Sequence, residues 1–172
     1  MTSCFDDSRP RALGSGKRVA IAGPSGDGVR MARIIEDEAG IAEIVKQAKR
    51  IAVLGIKTEA QEGQPAYDVP AYLQRHGIEV VPVPVYYPDV TEILGQKVYR
   101  SVKDVPGPLD LVDVFRRPSD VLPHVPELIA KKPKVVWLQL GIENDEAAKL
   151  LVAAGIDVVQ NRCLLVEHRR YA

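Results

Sequence analysis

Length and composition restrict this chain to a narrow set of protein classes. Its 172 residues suffice for one well-buried core and are few for two domains. Lysine plus arginine equals aspartate plus glutamate at 23 each, so no overall positive charge would draw the chain onto nucleic acid. No apolar run approaches the roughly 20 residues that cross a bilayer. The composition therefore indicates an ordinary soluble globular protein, with neither nucleic acid nor membrane as a partner.

The cysteines and the first residues bear on the compartment. Cys4 and Cys163 lie far apart without the spacing of metal ligands, which favours a reducing compartment over a disulfide framework or a zinc site. The segment from Met1 to Asp7 lacks the basic and then apolar stretches of a secretory signal. We therefore expect a cytoplasmic protein.

The amino-terminal part differs from the rest of the chain. Ser, Gly, Arg and Asp dominate it and no helical period is present, so residues 1–33 are predicted to be a disordered extension. Met31 precedes a complete-looking domain and is predicted to be the biological start. Residues 34–172 form the single predicted domain.

Strands and helices alternate along this domain. Apolar residues at helical spacing predict an amphipathic helix over residues 34–49 that lies on the sheet edge. Further helices are expected before Gly77, around Pro123 and Pro126 with a distorted first turn, and from Asn144 to Ala154. Five largely apolar strands are predicted at residues 51–56, 79–83, 109–115, 134–140 and 156–160.

This alternation predicts an α/β fold, a doubly wound parallel five-stranded sheet with helices on both faces. We expect the Rossmann-like strand order 3-2-1-4-5. In such sheets a ligand binds at the carboxyl ends of the strands, near the point where the strand order reverses. The loops nominated by this rule are residues 55–66, 84–87, 116–118 and 139–144.

The loop from Gly55 to Ala66 has glycines near both ends but is neither a dinucleotide-binding GxGxxG motif nor a P-loop. A helix beginning near Pro65 would direct unpaired backbone donors at an anion. Lys57 and Thr58 could add a charge and a hydroxyl. The alternative is that the glycines only permit a turn and the lysine is solvated.

Polar residues also stand at the ends of the third and fourth strands. Asp113 lies inside an apolar strand, so it needs a partner. Arg116 and Arg117 should point to opposite sides, leaving one to face the cleft, where a guanidinium suits phosphate. Two surface arginines with one local ion pair are the alternative. Gln139 ends the fourth strand, and Gly141 would let a ligand approach closely.

No catalytic set is predicted. Cys163 stands in an apolar stretch and is interpreted as a core residue. The three histidines, His76, His124 and His168, fall on separate elements and suggest no combination with an acid and a nucleophile. Residues 167–170 are interpreted as a solvated end.

Several segments together resemble one known family. The resemblance spans about residues 41–170, and its most specific parts are the Asp-Val-Phe-Arg-Arg-Pro run and the Asn-Arg-Cys-Leu ending. The chain resembles the small stand-alone bacterial CoA-binding proteins, whose fold also forms the CoA-binding domain of the succinyl-CoA synthetase α subunit and its acyl-CoA ligase relatives. The matching segments are Val53 to Gly55, Pro65 to Tyr67, Asp113 to Pro118, Trp137 to Gln139 and Asn161 to His168.

The resemblance implies coenzyme A as the cofactor and a particular set of binding residues. In that family the diphosphate and adenosine lie over the loops after strands one, two and three, and the loop after strand four closes the site. The residues expected to bind CoA are Gly55, Ile56, Lys57, Thr58, Pro65, Ala66, Tyr67, Val83, Phe115, Arg116, Pro118, Gln139 and Gly141.

This chain departs from the family pattern at several positions. Lys57 replaces a common serine, and Pro65 is followed by Ala66 in place of serine. After the second strand, the segment from Pro84 to Tyr86 replaces one resembling Asn-Pro-Lys. Pro70 is expected to move the start of the following helix to about Asp68.

The function predicted from the sequence is binding of CoA or an acyl-CoA without catalysis. Ligase activity is not expected, because the chain has no room for phosphohistidine-bearing and nucleotide-grasping domains. One alternative is a nicotinamide-nucleotide-dependent enzyme, although the second strand ends in Val83 and Pro84 and offers no acid for ribose hydroxyls. Another is an interaction protein that has lost the ligand. The oligomeric state is left open, a homodimer included.

Overall fold

The computed structural model describes residues 30–172, so the predicted disorder of residues 1–33 falls almost wholly outside the described residues. Residues 31–172 form one compact unit. None of the helices in residues 30–172 is long and apolar enough to cross a membrane. The strands are β1 Arg50–Leu54, β2 Glu79–Val83, β3 Glu92–Ile93, β4 Gln96–Lys97, β5 Leu111–Val114, β6 Val135–Leu138 and β7 Asp157–Val159. The helices are α1 Glu38–Gln47, α2 Pro65–Arg75, α3 Val125–Lys131, α4 Asp145–Ala153 and α5 Leu164–Tyr171.

Five strands form the parallel, doubly wound sheet that the sequence predicts. Their order is β2-β1-β5-β6-β7, and every pairing between them is parallel. The two remaining strands, β3 and β4, form a small antiparallel hairpin in the connection between β2 and β5. The carboxyl ends of the five parallel strands therefore share one edge.

The predicted strand order 3-2-1-4-5 is wrong. Counted within the main sheet, the third strand, β5, pairs with β1 on the side away from β2, which leaves β2 at the edge. Pro82 in β2 explains this position, since proline cannot donate to a ladder and is confined to edge strands. The strand order therefore reverses between β1 and β5, and the predicted binding edge has its centre there.

Two hydrophobic layers cover the sheet. Helices α1, α2 and α5 pack on one face around the fully buried Trp137. Helices α3 and α4 pack on the other face, where Leu128 and Leu151 contact residues of the central strands. Strand residues are buried on both faces, as their nearly continuous apolar runs predict.

The ends of the domain differ from expectation. The predicted helix over residues 34–49 begins only at Glu38, where Asp37 caps it, and it packs on the sheet face against α5. Ile34 instead forms a parallel bridge to Val158. Residues 167–170, predicted to be a solvated end, lie in α5, and Glu167 and His168 are buried. Around Pro123, the predicted distorted first turn is a 3-10 turn that precedes α3.

Candidate functional site

The loops after β1 and β5 meet where the strand order reverses. Gly55 follows β1 with a φ of +87°, and its amide donates to the Val83 carbonyl at 2.9 Å. A Cβ at this position would lie 2.3 Å from the carbonyl oxygen of Phe115. The glycine is thus required both by its dihedral angle and by the close approach of the two loops.

Helix α2 begins beside these loops, at Pro65, so the predicted start near Asp68 is wrong. Pro70 lacks the amide that would bond to the Ala66 carbonyl in a regular helix. The amide of Lys57 donates to that carbonyl instead, at 3.1 Å. Pro70 therefore does not displace the helix, and its missing donor lets the first loop attach to the beginning of α2.

A cleft of about 330 Å³ lies between these segments. Among residues 30–172, its lining includes three basic side chains and no acidic side chain. Asp120 is not part of the lining, and it pairs with both of the arginines that are. The Lys57 ammonium donates to the side-chain carbonyl of Gln64 at the beginning of α2. The cleft residues are Lys57, Gln64, Pro65, Ala66, Phe115, Arg116, Arg117, Pro118 and Ile142.

The two arginines after β5 differ in exposure, but both line the cleft, so the prediction that only one of them would face it is wrong. The Arg116 side chain is only 13% exposed, whereas that of Arg117 is 79% exposed. Arg117 donates through Nε to Asp120 at 2.9 Å, and Arg116 lies 3.6 Å from the same carboxylate. The buried Nε of Arg116 has no hydrogen-bond partner within residues 30–172. The cleft residue Arg116 therefore carries a buried guanidinium donor whose hydrogen bond is unmet within the described residues.

The partner that Asp113 requires is Gln139. The carboxyl group is fully buried, and Nε2 of Gln139 lies 2.9 Å from each of its oxygens. The Oε1 atom of Gln139 accepts from the amide of Leu164, at the start of α5. Burial raises the pKa of Asp113 to about 8, although hydrogen bonds from Gln139 and Val114 oppose this shift. Gln139 therefore serves the core beneath α5 and does not line the cleft.

The raised pKa of Asp113 makes stability depend on pH. Between the ordinary pKa of 3.8 and a folded value of about 8, the folded protein binds more protons than the unfolded chain, so stability falls as pH rises. Asp113→Asn removes this titration. The melting temperature of the variant minus that of the parent protein should therefore increase from pH 5 to pH 9. Calorimetry of both proteins at pH 5, 7 and 9 measures the difference. A constant difference across this range would contradict the assignment.

The structure brings six of the predicted binding residues to the cleft, namely Lys57, Pro65, Ala66, Phe115, Arg116 and Pro118. Gly55 is not among the lining residues, but it contacts Phe115, which is. Ile56 and Val83 are buried core residues and do not line the cleft. Thr58 donates its hydroxyl to Gln61 at 2.7 Å, and Tyr67 and Gly141 lie outside the cleft lining.

Gly141 belongs to a loop that is hydrogen-bonded to the side chain of Asn161. The side-chain oxygen of Asn161 accepts from the Gly141 amide at 2.7 Å, and its Nδ2 donates to Glu143 at 3.0 Å. Asn161 itself adopts a left-handed φ of +54°. The indole of Trp137 donates to the carbonyl of Arg162 at 2.7 Å. The Asn-Arg-Cys segment therefore braces the loop after β6, and Cys163 is a free, half-buried cysteine at the start of α5.

Sequence reasoning missed three cleft residues and a neighbouring cavity. Gln64 and Ile142 lie in the nominated loops 55–66 and 139–144 but are not among the predicted binding residues, and Arg117 belongs to a pair of which only one member was expected to face the cleft. The neighbouring cavity of about 430 Å³ lies at the ends of β1 and β2. Of its residues, only the nominated loop 84–87 carried a signal, from its place after the second strand. The cavity residues are Leu54, Pro84, Val85, Tyr86, Pro88, Arg100, His124 and Glu127.

Relatives of known sequence and structure share this domain. The protein YneT of Bacillus subtilis (strain 168) is 37% identical over 132 residues, which cover 76% of this chain and 93% of YneT. The structure of cell-free ID.343 from Thermus thermophilus is 41% identical, with a TM-score of 0.72, and the match covers 80% of this chain and all of that one.

A much longer enzyme shares the fold alone. The dinucleotide-forming acetyl-coenzyme A synthetase 1 of Ca. Korarchaeum cryptofilum matches 64% of this chain and 25% of its own, at 20% identity and a TM-score of 0.55. The description of the matching family is CoA binding domain, and its model covers residues 49–169. The resemblance inferred from the sequence is thereby confirmed, and this chain belongs to the CoA-binding domain family.

Proposed function

We propose that this protein binds coenzyme A or an acyl-CoA in the cleft between the β1 and β5 loops and performs no chemistry on it. Membership of the CoA-binding domain family supports a CoA-related ligand. Nucleic acid and membrane are not partners in this proposal, and the protein works in the cytoplasm.

The observation that carries the proposal is the buried Nε of Arg116, which has no hydrogen-bond partner among residues 30–172 and belongs to a residue that lines a cleft with basic side chains. An unmet buried donor costs free energy, whereas a phosphate oxygen would satisfy it with a charge-assisted hydrogen bond. Lys57 and the beginning of α2 face the same cleft, so a diphosphate would meet two positive charges and the helix terminus.

The lack of an acid after β2 argues against a nicotinamide nucleotide. Ribose hydroxyls in that class are commonly bound by a carboxylate at the end of the second strand. Here β2 ends in Val83, and its carbonyl accepts from Gly55. The following residues, Pro84 and Val85, carry no acid either.

A thermal-shift panel of CoA, acetyl-CoA, NAD, NADP and ATP tests the proposal. A ligand at about 100 times its dissociation constant stabilises the native state by about 2.7 kcal/mol, a readily visible shift. We expect CoA or acetyl-CoA to raise the melting temperature and NAD to leave it unchanged. Stabilisation by NAD alone would favour the nicotinamide-dependent enzyme, and no shift with any compound would favour an interaction protein.

A further inference from the structure

A separate basic cavity, the amino-end cavity, lies at the opposite end of the sheet from the proposed CoA cleft. It has a volume of about 510 Å³ and lies where α1, α2 and α5 end, beside the residues that precede β1 and β2. Among residues 30–172, its lining has three cationic side chains, two histidines and no acidic side chain. The lining stays positive even if a terminal carboxylate at Ala172 is counted. Its polar and charged side chains are those of Lys46, Lys49, Tyr72, His76, His168 and Arg169.

His168 is a buried member of this lining. It is only 8% exposed, and its Nδ1 lies 3.2 Å from the hydroxyl of the equally buried Tyr72. This nitrogen is the only hydrogen-bond partner of the hydroxyl within residues 30–172, so the hydroxyl donates and Nε2 carries the proton of the neutral ring. Nε2 makes no hydrogen bond with the described residues, yet it is not closed off from solvent. The buried imidazole therefore has a free N–H donor for a ligand in the cavity.

The second histidine and an arginine pack around the same tyrosine. His76 donates through Nδ1 to the Tyr72 carbonyl at 2.8 Å, since that oxygen can only accept. The ring centroid of His76 lies 4.0 Å from that of Tyr72 and 5.7 Å from that of His168. The Arg169 guanidinium lies 5.1 Å from the Tyr72 ring centroid. The donors and the charge are thus held in place by contacts within the protein, which lowers the cost of ordering them around a ligand.

The charge around His168 is unbalanced. The side chains of Lys46 and Lys49 form no ion pair or hydrogen bond with the described residues. Burial lowers the pKa of His168, and His76 and Lys49 lower it further. The neutral ring is therefore favoured, whereas an anion beside it would favour the protonated ring. The charged and titratable groups facing His168 are Lys46 and Lys49 at the end of α1, Tyr72 and His76 of α2, and Arg169 of α5, where Glu167 is paired with Arg162.

We propose that the amino-end cavity binds the phosphate group of a small molecule, held by Nε2 of His168 and the three cationic side chains of the lining. A phosphate group has two negative charges and several acceptor oxygens, which match this set of donors. A metal ion between the two imidazoles would instead meet three positive charges and, within the described residues, no carboxylate side chain. The site is independent of the CoA cleft, so the inference goes beyond the proposed function.

An NMR titration of the full chain with inorganic phosphate tests the site. The chain has three histidines, whose ring signals can be followed separately. We expect phosphate to shift the signals of His168 until the site is saturated and to raise the pKa of His168, because a bound dianion stabilises the charged imidazole. The signals of His124, at the other end of the sheet, should not follow this shift. Acetate at the same ionic strength should leave His168 unchanged.

The cationic side chains are tested by matched variants. Lys46→Gln combined with Lys49→Gln should weaken phosphate binding by roughly 3- to 20-fold, because each exposed charge pair contributes up to about fivefold. Lys149→Gln is the control, since it removes a charge from an exposed residue of α4 on the other face of the sheet. It should leave the dissociation constant unchanged. Equal weakening by Lys149→Gln and by the double variant would show a general effect of charge and overturn the proposal.

The donor is tested by His168→Phe, which keeps a ring and removes Nε2. Phosphate binding, now followed through the signals of His76, should weaken roughly tenfold or more, the range of a hydrogen bond to a charged group. A thermal melt checks that the variant is folded. The double lysine variant changes only exposed side chains and tests the site without altering the buried cluster.

The remaining outcomes separate this site from the CoA cleft. Arg116→Gln alters the cleft and should leave the response of His168 to phosphate intact. Loss of that response in Arg116→Gln, or a shift of His124 without one of His168, would assign the anion to the other end of the sheet and overturn the inference. An equal response to acetate would show an effect of ionic strength and would also overturn it. None of these results depends on whether CoA binds, so the proposed function is tested separately.

Discussion

Replacing Arg116 by glutamine is expected to weaken CoA binding roughly 10- to 100-fold, the range of charge-assisted hydrogen bonds to phosphate. Arg116 is the buried arginine of the pair, and its Nε is unpartnered within residues 30–172. The variant should remain folded, with a stability change of about 1 kcal/mol or less, because Asp120 keeps its bond to Arg117. Calorimetric titration with CoA measures the affinity, and a thermal melt checks the fold.

Arg117→Gln provides the matched control for Arg116. It removes the same charge from the adjacent residue, but the Arg117 side chain is 79% exposed and already bonded to Asp120. Exposed ion pairs contribute about 1 kcal/mol or less, so we expect less than a fivefold loss of affinity. Equal losses in the two variants would indicate a general effect of charge rather than a contact of Arg116 with phosphate.

Gly55→Ala is expected to lower the free energy of unfolding by about 2 to 5 kcal/mol. The left-handed dihedral angle costs a residue with a Cβ about 1 to 2 kcal/mol. The clash with the Phe115 carbonyl, at 2.3 Å from the new Cβ, adds the strain of overpacking, about 1 to 3 kcal/mol. Chemical denaturation measures the change. Because relief of the clash must separate the β1 and β5 loops, CoA binding should weaken as well.

Gly63→Ala separates these two contributions. Gly63 has a φ of +92° in the same loop, but a Cβ there would meet no atom within 4 Å. This variant should therefore show only the dihedral cost of about 1 to 2 kcal/mol. If the two alanine variants were equally stable, the close approach of the β1 and β5 loops would not be a source of strain.

The strands and the parallel sheet could be predicted because their signals are local. Apolar runs such as that of β1, and glycines such as Gly77 and Gly155 after helices, depend on neighbours in the chain. The strand order was predicted incorrectly, because strands buried on both faces have the same apolar pattern whichever strands they pair with. Pro82 was the available signal, since it excludes an interior place for β2.

The candidate site was predictable to the level of its loops. The need of Asp113 for a partner followed from the cost of a buried acid. Strand alternation did not predict that Arg116 and Arg117 both line the cleft, because β5 already ends at Val114. The sequence did not reveal that Gln139 is this partner, because Asp113 and Gln139 lie 26 residues apart in the chain. The contact between His124 and Glu127 was not predicted, although these residues lie only three positions apart in the chain.

The sequence by itself determined the α/β class, the edge of the sheet at which a ligand is expected to bind and the family to which the chain belongs. These features depend on periodicity and short motifs, and each such signal lies within one short segment of the chain. Only the tertiary structure decided that β5 lies beside β1, that the buried Nε of Arg116 has no partner in the described part of the chain, and that Tyr86 adjoins Arg116. Each of these features depends on contacts between segments of the chain that tertiary packing brings together. Local sequence patterns do not determine such contacts.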